Sequence, residues 1–302
     1  MNQLTFPAMT SGAVRGALYM VLAGVCFAGA NAITFVITSQ LHFRPQSDTF
    51  WQYAIALVFS LPFVLRHGLS GLRTAHPVLH IIRVILSALG VQAFVMSLAS
   101  GMPIWQVIAL VMTAPLFVLL GAALFLKETV TPARWIAATI GLGGAVVVSE
   151  LWTTGITTAT LLPIAAAVLW GASSLMTKYL TRTETAPTVT LWLLVLLTPI
   201  NAGLSLQSGF ELPSLPILYW LLTAGVIMMA AQYLLTWSYA AADAAFVQPF
   251  DDLKLVSNIV IYGLVFGYWP QGNIWLGIAM ILGASVFLLL SSRGHEGSAV
   301  PA

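Results

Sequence analysis

The chain has 302 residues, of which 59% are hydrophobic and 7% charged, and a net charge of +2. Soluble domains carry about 25% charged residues, so the composition excludes a soluble fold and places the protein in a membrane. The small net charge gives no basis for a nucleic-acid partner, and the single cysteine, Cys26, excludes an intramolecular disulfide.

A membrane-crossing helix needs about 20 mostly apolar residues, and ten segments approach that length. Span 1, Ala13–Ile37, carries "FAGANAITF" with Asn31. Its small residues stand at signal-peptidase spacing, but the apolar run continues to Ile37, so an uncleaved first span is expected. Span 2 is Phe50–Leu65. Span 3, Val78–Leu98, holds Gln92 and begins with His80 and Arg83, which read as a solvated positive flank. Span 4, Met102–Phe125, contains Pro103, Met112 and Pro115, and span 5 is Pro132–Val148.

Span 6, Leu161–Leu180, carries Trp170 and Ser173 in "LWGASSLMTK". Span 7 is Val189–Leu206. Span 8, Leu215–Ala240, places Gln232 near its middle, with Tyr233 and Trp237 four residues apart on one face. Span 9, Ala244–Phe266, contains "AAFVQPFDDLKLVSN", with Gln248, Pro249, Asp251, Asp252 and Lys254. Span 10 is Trp275–Leu290. Lys and Arg concentrate in the termini and the gaps after even-numbered spans. The gaps after odd-numbered spans hold only Arg44, which predicts cytoplasmic termini.

The halves resemble each other. "FAGANAITF" aligns with "LWGASSLMTK" on Gly29 and Gly171, while Trp135 and Trp275, like Gly143 and Gly283, lie 140 residues apart. Two five-span repeats, residues 1–149 and 150–302, must then sit inverted relative to each other, because five is odd. Inverted repeats are the architecture of secondary transporters, with the substrate site near the midplane between the halves.

The stretch "ALVMTAPLFVLLGAALFLKETVTPARWIAATIGLGGAVVV" carries Pro115, Glu128, Gly141, Gly143 and Gly144. It resembles the drug/metabolite transporter superfamily, in its EamA-type ten-helix branch. The second half matches the same pattern with Pro249, Gly267, Pro270 and Gly277, except that Tyr268 stands where glutamate is usual. Within that branch the chain most resembles the YddG-like aromatic amino-acid exporters. The resemblance implies an all-α protein of ten helices around a central cavity lined mainly by spans 1, 3, 4, 6, 8 and 9. It also implies an inner-membrane location and export of aromatic and other apolar amino acids by alternating access.

Polar side chains inside spans are costly and face bundle interiors or wet cavities. On that rule Asn31, Gln92, Ser173, Gln232, Gln248 and Asp252 are candidate substrate-binding groups, with Trp170, Tyr233 and Trp237 as an aromatic wall. Asp251 and Lys254 are three apart, so they are expected to pair for coupling or structure. Asp252 points about 100° away and stays free for an ammonium or a proton. Pro115 and Pro249 are expected hinges. The sequence has no Walker A, HExxH or GxSxG motif, so neither an ATP-driven pump nor an intramembrane enzyme is expected, and no cofactor, metal or obligatory protein partner is implied. A channel would want rings of charge or carbonyls from symmetric subunits. Amino acids and membrane lipids are the expected small-molecule contacts, with proton coupling left open.

Overall fold

The computed structural model describes residues 11–67, 73–100, 104–149, 158–267, 269 and 272–295. Pro103, Tyr268 and Pro270 fall outside them. Among the described residues the structure is helical throughout, with no strand. Helix α1 runs Ser11–Phe35 and continues as a π-helical turn, Val36–Gln40. It is followed by α2 (Pro45–His67), α3 (Pro77–Ala99), α4 (Ile104–Val111), α5 (Ala114–Phe125) and α6 (Pro132–Ser149). The later helices are α7 (Thr158–Leu180), α8 (Ala186–Gln207), α9 (Leu215–Ala241), α10 (Ala244–Asp251), α11 (Leu253–Phe266) and α12 (Ile274–His295). Six stretches among the described residues are helical, long and apolar enough to cross a membrane: 12–40, 77–94, 107–125, 159–180, 186–207 and 215–241. Shorter apolar helices cover Pro132–Val148 and Ile274–Leu288.

Three boundaries differ from expectation. Helix α2 starts at Pro45, before Phe50, because "PQSD" is a helix opening: proline suits the first position, and buried Asp48 accepts hydrogen bonds from Gln52 at 2.8 and 2.9 Å. Spans 4 and 9 are each broken in two. One break falls at Met112–Thr113 and the other at Asp252. Adding 140 to the bounds of α4, residues 104–111, gives 244–251, the bounds of α10. The two breaks therefore recur at the spacing that relates Trp135 to Trp275.

The helices pair across the halves. Helix α1 packs along α9, α3 along α7, α2 along α8, and α6 along α12. Helix α7 also meets α4 and α5, while α1 meets α10 and α11. Small residues set the closest approach: a Cβ on Gly144 would stand 2.7 Å from the Gly277 carbonyl oxygen, so the α6–α12 crossing tolerates only hydrogen there. Gly12 and Gly16 likewise lie against the end of α9, with a Gly16 Cβ 2.7 Å from that of Ala242, so this GxxxG pair packs within the chain. The largest apolar cluster joins α1, α5, α6, α9, α10 and α12 through Met20, Leu119, Tyr239, Phe246, Phe250 and Leu288. It buries the short helix α10 almost completely.

Candidate functional site

The break in span 9 begins with local chemistry. Pro249 has no N–H, so α10 loses a turn-closing hydrogen bond just before its end. The Ser285 hydroxyl of α12 bonds the Pro249 carbonyl at 3.1 Å and the Ile281 carbonyl at 3.2 Å. Asp252 stands between α10 and α11. Around it runs a polar chain. The Tyr239 hydroxyl donates to Gln248 Oε1 at 2.8 Å, and Gln248 Nε2 reaches Asp251 Oδ2 at 3.4 Å. Lys254 Nζ donates to the same Asp251 oxygen at 2.6 Å. Asp252 is 6% exposed, and among the described residues no hydrogen bond or ion pair reaches its carboxylate.

Lys254, Asn258, Tyr262 and Phe266 follow at four-residue steps and share one face of α11. That face meets α1. Gly24 lies against Lys254, where an added Cβ would come within 3.2 Å of the lysine Cβ. Asn31 Nδ2 donates to Asn258 Oδ1 at 3.2 Å, and the Tyr262 hydroxyl donates to the Asn31 carbonyl at 3.2 Å. Phe35 closes the group, with ring centroids 5.7 Å from Tyr262 and 5.0 Å from Phe266. Asn31 is exposed, yet at about 100° per residue it falls on the same face of α1 as buried Met20 and Gly24. The lipid-side stripe of α1, Val14, Leu18, Leu22 and Val25, lies on the opposite face. An opening into the bundle therefore begins at the level of Asn31.

The other expected site residues lie elsewhere. Gln92 sits on the exposed stripe of α3 with Ile85, Leu89 and Met96, because α3 spends its buried face on α7. Trp170 packs on that α7-facing side. It stacks near Phe94 at 5.8 Å, donates to the Ser87 carbonyl at 3.2 Å and presses on Gly90, which leaves no space for a Cβ. Tyr233 and Trp237 do touch, at 5.7 Å, but Trp237 turns to Tyr19 of α1 and Tyr233 is buried toward Ser60 of α2. The single aromatic wall expected from Trp170, Tyr233 and Trp237 is thus two separate packing groups. Gln232 is buried beside Tyr53 of α2. Ser173 donates to the Arg83 carbonyl at 3.2 Å, a helix–helix bond. Pro115 is the second residue of α5, directly after the first break, rather than the centre of a kink.

One end of the bundle is closed by charge. Glu128 accepts from the backbone N–H groups of Ala244 at 3.2 Å and Ala245 at 3.1 Å, so a side chain from the first half caps α10. Lys178 donates to the terminal carbonyls of Tyr239 at 2.9 Å and Ala242 at 2.7 Å. Arg134 pairs with Asp243 at 3.1 Å, and Arg182 lies 3.6 Å from Glu128. At the same end His80 meets Glu184 at 2.9 Å and stacks on Trp192, while Thr74 also bonds Glu184. Arg83 donates to the Val189 carbonyl at 2.7 Å and to Thr177 at 3.2 Å. His80 and Arg83 are 0% and 1% exposed, so the solvated flank read from the sequence is instead a buried seam between α3, α7 and α8.

Sequence reasoning missed Asn258 and Tyr262, although their four-residue steps from Lys254 were visible. It also missed Tyr239 and Lys178, whose roles depend on tertiary neighbours. The opening presents amides, a phenol and phenyl rings, with its lysine already paired. Such a surface stacks on flat rings and exchanges neutral hydrogen bonds. Among the described residues no group of three or more His, Cys, Asp or Glu could hold a metal ion.

Comparison with known proteins agrees with this reading of the architecture. A solved crystal structure superposes with a TM-score of 0.73 over 95% of this chain and 99% of its own, at 20% identity, which shows the fold. The "Riboflavin transporter" of Rhizobium johnstonii is 53% identical over 98% of each chain. The "S-adenosylmethionine uptake transporter" of Rickettsia felis is 25% identical over 82% of this chain and 85% of its own. These relatives are transporters rather than enzymes. Residues 14–150 and 157–290 each match one family, so the chain, a multi-pass membrane protein and secondary transporter, belongs to the EamA-like transporter family.

Proposed function

We propose that this protein carries riboflavin across the bacterial inner membrane by alternating access. The observation that carries the reading is the 53% identity, over 98% of both chains, to a protein named as a riboflavin transporter. The S-adenosylmethionine carrier is only 25% identical and ranks behind it as a source of substrate. The amino-acid reading from sequence yields to this one, since neither relative is named for amino acids. Export yields as well, because the relative whose name states a direction is an uptake transporter. Of the sequence-level expectations, the broader one of a small metabolite in the same fold is the better supported.

The site chemistry agrees with the substrate. Riboflavin is neutral and pairs a flat tricyclic ring with a polyhydroxyl chain. Asn31, Asn258 and Tyr262 offer donors and acceptors, and Phe35 and Phe266 offer ring faces. A zwitterionic amino acid would want free charges of both signs, whereas Asp251 and Lys254 hold each other at 2.6 Å. Ten spans in two inverted repeats, 1–149 and 150–302, account for the recurrence of broken helices at a 140-residue step. They also account for the crossed pairing of α1 with α9 and of α3 with α7. The positive-inside bias puts both termini in the cytoplasm. On that orientation the charged end faces the cytoplasm and the Asn31 opening faces outward.

The test is transport by purified protein in liposomes, followed by riboflavin fluorescence. Saturable uptake competed by unlabelled riboflavin, and not by phenylalanine, is expected. Uptake of phenylalanine or S-adenosylmethionine without riboflavin would overturn the assignment.

A further inference from the structure

We infer that Asp252 is a proton-binding carboxylate that couples transport to the proton gradient. The inference rests on the transport reading and not on the identity of the substrate.

Asp252 is 6% exposed and occupies the one-residue gap between α10 and α11. No hydrogen bond or ion pair among the described residues satisfies its carboxylate. A buried, unpaired carboxylate is held as the neutral acid or must find a positive partner. Its charged neighbours in sequence, Asp251 and Lys254, are paired with each other at 2.6 Å. The elements packed on the break add none. Helix α5 contains no titratable side chain. Helix α6 offers Gly141, where an added Cβ would stand 3.5 Å from Asp252 Oδ2, while its Arg134 is engaged by Asp243. Helix α12 offers Ser285, bonded to the Pro249 and Ile281 carbonyls. Helix α1 offers Gly24, with Tyr19 on Trp237, and α9 offers Tyr239, bonded to Gln248. Lys178 of α7 is spent on the Tyr239 and Ala242 carbonyls.

The carboxylate is not what makes the break. The matching position in the first half is Met112, since 112 plus 140 is 252, and that break forms around a methionine 3% exposed. Two equivalent breaks thus exist, and only one carries an acid. A metal ion would require several oxygen ligands around it, whereas a proton requires one oxygen. When the carboxylate takes up a proton it becomes a neutral acid, free to move through the low-dielectric interior with the broken helix. When it releases the proton on the other face, it leaves a charge that resists the return.

The experiment compares wild type, Asp252→Asn and Asp252→Glu in liposomes. One readout is riboflavin accumulation with and without an imposed pH gradient. The other is the carboxylic-acid C=O band in acid-minus-alkaline infrared difference spectra, which needs no substrate. One coupled proton per substrate allows up to about tenfold accumulation per pH unit. The wild type is expected to approach that ratio, Asp252→Asn to fall to one and lose the band, and Asp252→Glu to keep both with the band displaced. Riboflavin transport indifferent to the gradient in wild type, an unaltered gradient ratio in Asp252→Asn, or a band unchanged in both variants would overturn the inference. If no riboflavin moves, the substrate reading fails, and the band still decides Asp252. If Asp252→Asn does not fold, the band displacement in Asp252→Glu decides it.

Discussion

At the scale of single residues, the proposed site is an amide pair with a phenol beside it. Asn31 donates to Asn258 across the α1–α11 contact, and a neutral hydrogen bond is worth about 0.5–1.5 kcal/mol. Asn31→Ala should therefore raise the KM for riboflavin about 2- to 13-fold, with thermal stability nearly unchanged because the position is already exposed. A fall in stability with KM unaltered would make Asn31 a packing residue. Lys178 sits at the other extreme, buried and donating to two helix-end carbonyls. Lys178→Met should cost about 2–4 kcal/mol, read as a lower unfolding temperature in detergent, because it leaves both carbonyls without their charged donor. The sequence exposed some of this logic and hid the rest. Asp251 and Lys254 stand three apart, and any helix brings that spacing together. Gln92 looked like a cavity group because polar residues in spans usually are. Its outward position follows from α7 claiming the other side of α3, through Arg83, Gly90 and Trp170, which no spacing within span 3 reveals. His80 and Arg83 looked like a solvated flank because Glu184 and Val189, their partners, lie about a hundred residues further along the chain.

At the scale of elements, the two broken helices carry the most weight. Spans 4 and 9 are each long enough to cross as one helix, and the polar cluster at 248–254 of span 9 reads as a site rather than as a break, so each is expected to be continuous. The breaks come from Pro249, and from the turn at Met112–Thr113 ahead of Pro115. Restoring an N–H at position 249 would let α10 close its last turn and run toward α11. Pro249→Ala is expected to slow transport while leaving equilibrium riboflavin binding close to wild type, and a quench titration beside an uptake assay separates the two. Equal losses of both would assign the proline to binding geometry instead. The start of α10 depends on Glu128, which satisfies the N–H groups of Ala244 and Ala245. Each buried donor left unsatisfied costs about 1–3 kcal/mol. Glu128→Ala should therefore lower stability measurably, while Glu128→Gln, which keeps one acceptor oxygen, should recover part of it. The loop glutamate was visible in the sequence. Its use as a remote helix cap was not, because the capped helix lies 116 residues away.

At the scale of the whole molecule, polar ties join helix ends at both ends of the bundle, with Arg44, Ser47 and Trp51 meeting Glu211 at the end away from the termini. Towards the termini Glu128, Lys178, Arg134 and Glu184 tie the helix ends together. Asn31 is exposed on the face of α1 that two turns earlier is filled by Gly24 against Lys254. On the proposed reading, a bundle tied by the Glu128 and Glu184 clusters at one end and accessible at Asn31 is one state of an alternating-access cycle. On the proposed inverted-repeat reading, the crossed pairing of α1 with α9 and α3 with α7 would supply its mirror image, in which the ionic end parts and the Asn31 end closes. Accessibility therefore discriminates between depths. In a Cys26→Ser background, which removes the chain's only thiol, Asn31→Cys should react with a membrane-impermeant maleimide added on the side away from the termini. Thr177→Cys, at a position 7% exposed within the Arg83 seam, should stay unreactive from either side until the ionic end opens. Saturating riboflavin should slow labelling at position 31. Removing the Glu128 cap should raise labelling at position 177 from the cytoplasmic side, because the same substitution that frees α10 also weakens the closed end. Fast labelling of Thr177→Cys in the otherwise unaltered protein, with Asn31→Cys protected, would mean that the resting transporter opens to the cytoplasm, with the ionic cluster lining a path instead of closing it.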